Sequence, residues 1–258
     1  MSPSLIARNR LEMALRNNGY HSPCEAPAPW QAAEATFSPG RCYVSYQEGS
    51  VSQAIVAVDL PHVGVALVEE GAVIQSQASL PLTVTHAFAV SVEDLPALVR
   101  RIFELSRSLP SAPLDRFTAQ TAKLPRATEI DQLVVERIGQ DIFRDALMDF
   151  WSGRCAVTGL DQPELLRASH MKPWADCDTD GERLDPMNGL LLAPHWDLAF
   201  DSGLVTFEKN GDLRLSKRLT SAAVHLLVPA GAARPTLSHL KHGHHAYLRF
   251  HRQHVWRD

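Results

Sequence analysis

The sequence predicts an α+β chain in two parts, and three observations carry that reading. Short runs rich in Val and aromatic residues crowd between residues 41 and 89, the pattern of strands. Apolar residues recur at helical spacing in the stretch that follows and again beyond residue 129,. Between these two helical patterns lie prolines at 110, 113 and 125, the best boundary the chain offers,.

Taken in order, residues 1–20 read as a short helix with an imperfect apolar stripe of Leu5, Ile6, Leu11, Met13 and Leu15. The Ala- and Pro-rich CEAPAPWQAAEA reads as a loop. RCYVSY, QAIVAVDL, GVALVEE and PLTVTHAFAV read as strands, punctuated by Gly40, Gly49, Gly64 and Gly71. VEDLPALVRRIFELSRSL then reads as a helix, with Leu95, Leu98, Ile102 and Leu105 on one face and Asp94 near its start,. Together these make an α+β module over residues 1–110 that contains no motif for chemistry. Residues 111–128 read as a linker. A long helix from Glu129 to about Trp151 follows, its apolar face formed by Leu133, Val134, Ile138, Ile142, Phe143, Leu147 and Phe150. Gly139 in its middle costs helix stability and permits close packing.

Composition narrows the class. Of 258 residues, 45% are apolar and 21% charged, enough for a core and too much for a disordered chain. No apolar run approaches the roughly 20 residues that cross a bilayer, and the N-terminus lacks the apolar block of a secretory signal. The four cysteines are scattered without a Cys-x-x-Cys pair, so neither a disulfide scaffold nor a zinc ribbon is indicated. A soluble cytoplasmic protein with reduced thiols and no membrane partner is the expectation. The net charge of −4 argues against a basic coat on nucleic acid, and any phosphate binding must be local. Seven of the twelve histidines, at 225, 239, 242, 244, 245, 251 and 254, lie in the last 34 residues. They read as solvated helix decoration whose charge would grow towards pH 6.

Polar residues concentrate between Arg154 and Phe207. CAVTG followed by LLRASHMKPW reads as a short hairpin whose second strand ends at His170. A polar loop leads to Asn188, and LLLAPHWDLAFDSG makes a helical turn, with Pro194 at its first position and Gly203 as its stop,. GLVTFEKNGDLRLS reads as a second hairpin turned at Asn210-Gly211,.

In this stretch CAVTG at 155–159, ASHMKPW at 168–174, NGLLL at 188–192 and DLAFDSG at 197–203 resemble the linked motifs of the HNH endonuclease family. The resemblance covers roughly residues 129–257, so residues 129–258 are identified as an HNH domain of ββα-metal fold. It implies a metal-dependent endonuclease acting on DNA, in a setting such as restriction of foreign DNA. The module at 1–110 would serve recognition, regulation or dimerisation, and cutting both strands would suggest a homodimer. A non-cleaving nucleic-acid-binding or sensor protein on the same scaffold is the alternative.

The resemblance also assigns roles. His170 matches the general base, and an imidazole near neutrality suits proton abstraction from water. Asn188 matches the middle letter of the family name, an amide that fastens the loop carrying His170. Asp197 falls where the family places its last metal-binding letter, and Asp201 lies one helical turn on, so that a divalent cation would convert repulsion into coordination. Ser169 stands where related enzymes often carry an Asp or His ligand. His195 is a further candidate ligand or phosphate contact, although two residues of helix turn it well away from Asp197. Oxygen-dominated donors suit Mg²⁺ first and Mn²⁺ second. Lys172, Arg167 and Arg154 are candidates for phosphate contact, each with a solvated surface charge as the alternative. Trp174 is expected to pack its loop, and Cys155 and Cys177 to fill small core positions.

Overall fold

A computed structural model describes residues 5–35, 38–47, 49–50, 52–75, 80–109, 111–237 and 239–258. The start of the expected first helix, residues 1–4, and Pro110 lie outside the described residues. The chain divides into two compact units, Met1–Ala112 and Pro113–Asp258, each mixing helices with strands, so the α+β class holds. No helix among the described residues is long and apolar enough to cross a membrane.

In the first unit α1 (Leu5–Arg16) precedes a five-stranded antiparallel sheet in which β1 (Ser22–Cys24), β2 (Gln31–Ala35), β3 (Ser38–Tyr46), β4 (Gln53–Val58) and β5 (His86–Ser91) pair in chain order. Helix α2 (Pro61–Glu69) joins β4 to β5, and α3 (Leu95–Ser108) follows β5. The register sets Val44 opposite Val56 and Val56 opposite Phe88 on one face, and Tyr43 opposite Ala57 and Ala57 opposite Ala87 on the other. The second face packs on Trp30 and Ala32, with Leu80 and Val84 partly buried against it. Both faces are therefore dry, which is why β4 is a continuous apolar run instead of an alternating one.

Two expectations change here. GVALVEE forms part of α2: Pro61 starts the helix, and Val63, Gly64, Ala66 and Leu67 are buried at helical spacing. Its β-branched residues masked a helix whose side chains are held by tertiary packing. Gly64 is needed there because a Cβ would lie 2.5 Å from the His86 ring. CEAPAPWQAAEA begins on the last residue of β1 and contains all of β2, since Ala residues suffice where a neighbouring strand supplies the ladder. In α3 the buried face is Leu95, Val99, Ile102 and Leu105, with Leu98 at its margin.

The stretch read as a linker carries α4 (Ala112–Thr121), in which Pro113 occupies a first-turn position where the missing N–H is harmless. Helix α5 (Glu129–Phe150) opens on a reciprocal cap: the Thr128 side chain accepts from Asp131 N at 3.1 Å, and Asp131 accepts from Thr128 N at 3.0 Å. Its C-terminal half buries Ile142, Phe143, Ala146, Leu147 and Phe150. Leu133 and Val134, expected on that face, are exposed at 63% and 47%, because the packed stripe begins only at Gly139.

The strands of the second unit are short. β6 (Arg167–His170) pairs antiparallel with β7 (Gly189–Leu192), His170 opposite Gly189. The expected hairpin between CAVTG and β6 does not form. Residues 155–159 are turns closed by Gly159 N to Cys155 O at 3.0 Å, and β6 takes a partner from across a loop of 18 residues (171–188). That loop holds α6 (Asp180–Leu184). Helix α7 (Pro194–Asp201) follows β7, and Gly203 ends it at φ +69°. β8 (Val205–Phe207) and β9 (Leu213–Leu215) form the second hairpin as expected, with Gly211 at φ +86° in its turn. α8 (Ser221–Leu227) and α9 (His244–Phe250) complete the unit, α9 running into a wider turn at His251–Val255.

Candidate active site

β6, β7, α7 and the loop between the strands gather the expected residues into two groups, His170 with Asn188, and Ser169 with Asp197 and Asp201. His170 ends β6 with its ring stacked on Phe143 of α5, centroids 3.8 Å apart and planes within 14°. Trp174 meets the ring edge-on at 5.7 Å. His170 Nε2 lies 2.8 Å from the carbonyl of Arg183. A carbonyl only accepts, so Nε2 carries the proton and Nδ1 keeps its lone pair. Burial lowers the pKa to about 4, with the Arg183 carbonyl raising it in part. The ring is thus a neutral imidazole in a fixed tautomer with Nδ1 unprotonated, and a weaker base than the near-neutral imidazole expected from sequence,.

Asn188 is fully buried and acts as a bracket. Its Oδ1 accepts from Lys172 N at 2.8 Å, and its Nδ2 donates to the carbonyls of Lys172 and Glu182, both at 3.1 Å. Its own carbonyl accepts from Met171 N at 2.9 Å. One amide therefore joins the start of the loop to α6 and to β7. Arg183 supplies a second bracket, donating to the carbonyls of Cys177 at 2.6 Å and Trp174 at 3.3 Å. Gly139 lets Trp174 come close, since a Cβ there would lie 2.6 Å from the indole.

Ser169, one residue before His170 on β6, forms a second, oxygen-rich group with Asp197 and Asp201 of α7. The buried Ser169 hydroxyl donates to Asp201 Oδ1 at 3.1 Å. Burial raises the pKa of both aspartates; the neighbouring Asp197 charge adds to the rise at Asp201, and Ser169 opposes it in both. Arg167 also helps hold Asp197 down. Two carboxylates and a hydroxyl are a hard, anionic donor set, short of positive charge, and they fit a divalent cation that keeps several waters. Among the described residues no three His, Cys, Asp or Glu side chains gather as a metal-holding group, so the protein would supply a minority of the ligands. His195 is exposed on α7, its ring 6.3 Å from that of Trp196, and no hydrogen bond or ion pair among the described residues joins it to this group.

The three cations chosen from sequence fare differently. Arg167 lies beside the acids and donates to the carbonyls of Glu164 and Leu166 at 3.2 and 3.1 Å. Arg154 pairs with Asp161 at 3.3 Å in the open. Lys172 is clamped between Asp178 at 2.9 Å and Glu182 at 2.8 Å, 12% exposed, with its pKa driven up by both. It is a fastener of the loop. Arg183 and Glu182 were not expected at the site, and Phe143 was expected only on the apolar face of α5. No residue-type signal could have marked Arg183, whose contribution to His170 is a backbone carbonyl.

Two of the C-terminal histidines are core residues rather than decoration. His251 is stacked on Phe200 at 3.7 Å, accepts from Thr206 Oγ1 at 2.9 Å and donates to Phe200 O at 3.1 Å. His244 is buried against Phe150 and Trp151. Cys155 and Cys177 are buried, their sulfurs accepting from Ala193 N and from Asn188 Nδ2.

Residues 155–208 match a family described as HNH endonuclease. The chain carries an HNH domain. The match spans β6, the bracketed loop, β7, α7 and β8, the elements that assemble His170, Asn188 and the acid group. No curated protein matches the chain.

Proposed function

We propose that the HNH domain is a metal-dependent endonuclease that hydrolyses DNA phosphodiester bonds, with restriction of foreign DNA as its setting. The observation that carries the reading is the state of His170: neutral, held through Nε2 by the Arg183 carbonyl, with Nδ1 unencumbered. That nitrogen takes the proton from the attacking water, a role worth ~10²–10⁴-fold. Phe143 and Trp174 restrain the ring, and Asn188 holds the loop that delivers the Arg183 carbonyl. Asp197 and Asp201, with Ser169, would hold Mg²⁺, which when bound supplies Lewis acidity at the phosphate and the leaving oxygen. Arg167 lies next to this group and is the cation best situated for developing negative charge.

A plasmid-nicking assay with Mg²⁺ tests the reading on wild type, His170→Ala and Asp197→Ala. Nicking by wild type, with large losses in both variants, supports it; undiminished nicking by His170→Ala refutes the base assignment. A second reading, a non-cleaving DNA sensor, draws on Ser169 at the position of a stronger ligand and on a donor set of only two carboxylates. DNA binding by wild type without nicking under Mg²⁺ or Mn²⁺ would favour it.

A further inference from the structure

The charge of the chain is unevenly laid out. Residues 206–258 hold nine Lys and Arg against three Asp and Glu, a net +6 in a chain whose total is −4. In the fold these cations converge. Lys209 is exposed in the β8–β9 turn, His242 precedes α9, His245 and Arg249 lie on α9, and Arg252 lies in the wider turn after it. The rings of His242 and His245 are 5.6 Å apart. Beyond burial, the groups that press down the pKa of His245 are all basic residues, Lys209, His242, Arg252 and Arg249. Glu208 pairs with Arg214 at 3.1 Å and Arg252 at 3.8 Å. Neither Lys209 nor Arg249 has a carboxylate partner among the described residues. Arg154 and Lys172, by contrast, are already neutralised.

This surface is fastened to the HNH site. Tyr247 Oη donates to Asp185 in the bracketed loop at 2.9 Å, Lys172 Nζ sits 5.5 Å above the Phe250 ring, and His251 stacks on Phe200 of α7. A cluster in which Lys209 and Arg249 lack a carboxylate partner and Arg252 shares Glu208 with Arg214 keeps a positive excess that a polyanion relieves,, and a row of phosphates is the polyanion a nuclease domain meets. We propose that Lys209, His242, Arg249 and Arg252, gathered around His245, grip the phosphate backbone of duplex DNA and hold it against the HNH domain. The inference rests on the nuclease reading for its choice of DNA, but it concerns binding and not hydrolysis.

The test is fluorescence anisotropy of the full chain with a short labelled duplex, in EDTA and over a series of salt concentrations. K209A/R249A is compared with wild type and with R10A/R100A, which removes equal charge from the first unit. The expected result is roughly tenfold weaker binding for K209A/R249A and a salt slope shallower by about 2, with R10A/R100A unchanged. Equal affinity and slope for wild type and K209A/R249A overturns the proposal. So does weakened binding of polyglutamate with duplex affinity intact, which points to an acidic protein partner. Should K209A/R249A misfold, Lys209→Glu on its exposed turn gives the same readout. Loss of binding in these variants with no nicking by wild type leaves this inference standing and removes the hydrolytic one. Nicking by wild type with unaltered binding by the variants does the reverse.

Discussion

In the first unit five strands bond one another in ladders broken only by a register shift at Glu34/Ala35 among the described residues, and the polar groups buried there are hydroxyls of serine and tyrosine. In the second the strands run three or four residues, and the interior holds an amide, two imidazoles and a lysine: Asn188, His244, His251 and Lys241. Side chains there do what ladders do in the first unit. Asn188 and Arg183 hold loop carbonyls, and Arg144 holds those of Leu166 at 2.6 Å and Pro163 at 2.8 Å. A site that must place a base to within tenths of an ångström needs such cross-links, and each one makes the unit sensitive to a single change.

Acid sharpens the contrast most. His170, His244 and His251 each have a folded pKa of about 4 against an ordinary 6.5, chiefly through burial. The unfolded chain takes up these protons first. Stability is therefore whole above pH 6.5 and is lost as pH falls towards 4, by up to about 3 kcal/mol per histidine. Asp185, Asp197 and Asp201, with raised pKa values, retain protons in the folded state and offset part of this loss. Urea unfolding at pH 7.5 and 5 should show two transitions, with that of the second unit moving further; equal shifts break the comparison.

Next in size is His170→Ala, expected to cut nicking by ~10²–10⁴-fold while both unfolding transitions persist. Asn188→Ala follows. It strands Lys172 N and two carbonyls, at a cost of about 2–4 kcal/mol, and should lower the second transition alone. The smallest effect serves as control: Ile55→Val in the first sheet should cost about 1 kcal/mol, lower the first transition and leave nicking intact. A change in nicking there would mean that the units are not separable.

What could be read from sequence was local. α5, α7 with its Pro194 start and Gly203 stop, and the Asn210-Gly211 hairpin depend on neighbours within a few residues, and they appear where expected. The partner of β6 lies beyond an 18-residue loop, so a nearer segment, CAVTG, was the natural reading. Lys172 resembles a free cation until Asp178 and Glu182 fold over it. The burial of His244 and His251 follows from rings of α5 and α7 brought up from far along the chain. Helix α2 was hidden because its composition favours strands and only packing makes it helical.

The most direct test of the account is the protonation state of His170, read from long-range ¹H–¹⁵N correlation spectra of the histidine rings at neutral pH. The structure predicts a neutral ring protonated at Nε2, with an unprotonated Nδ1 signal that persists below pH 6. A ring protonated at Nδ1, or an imidazolium at pH 6, would contradict it.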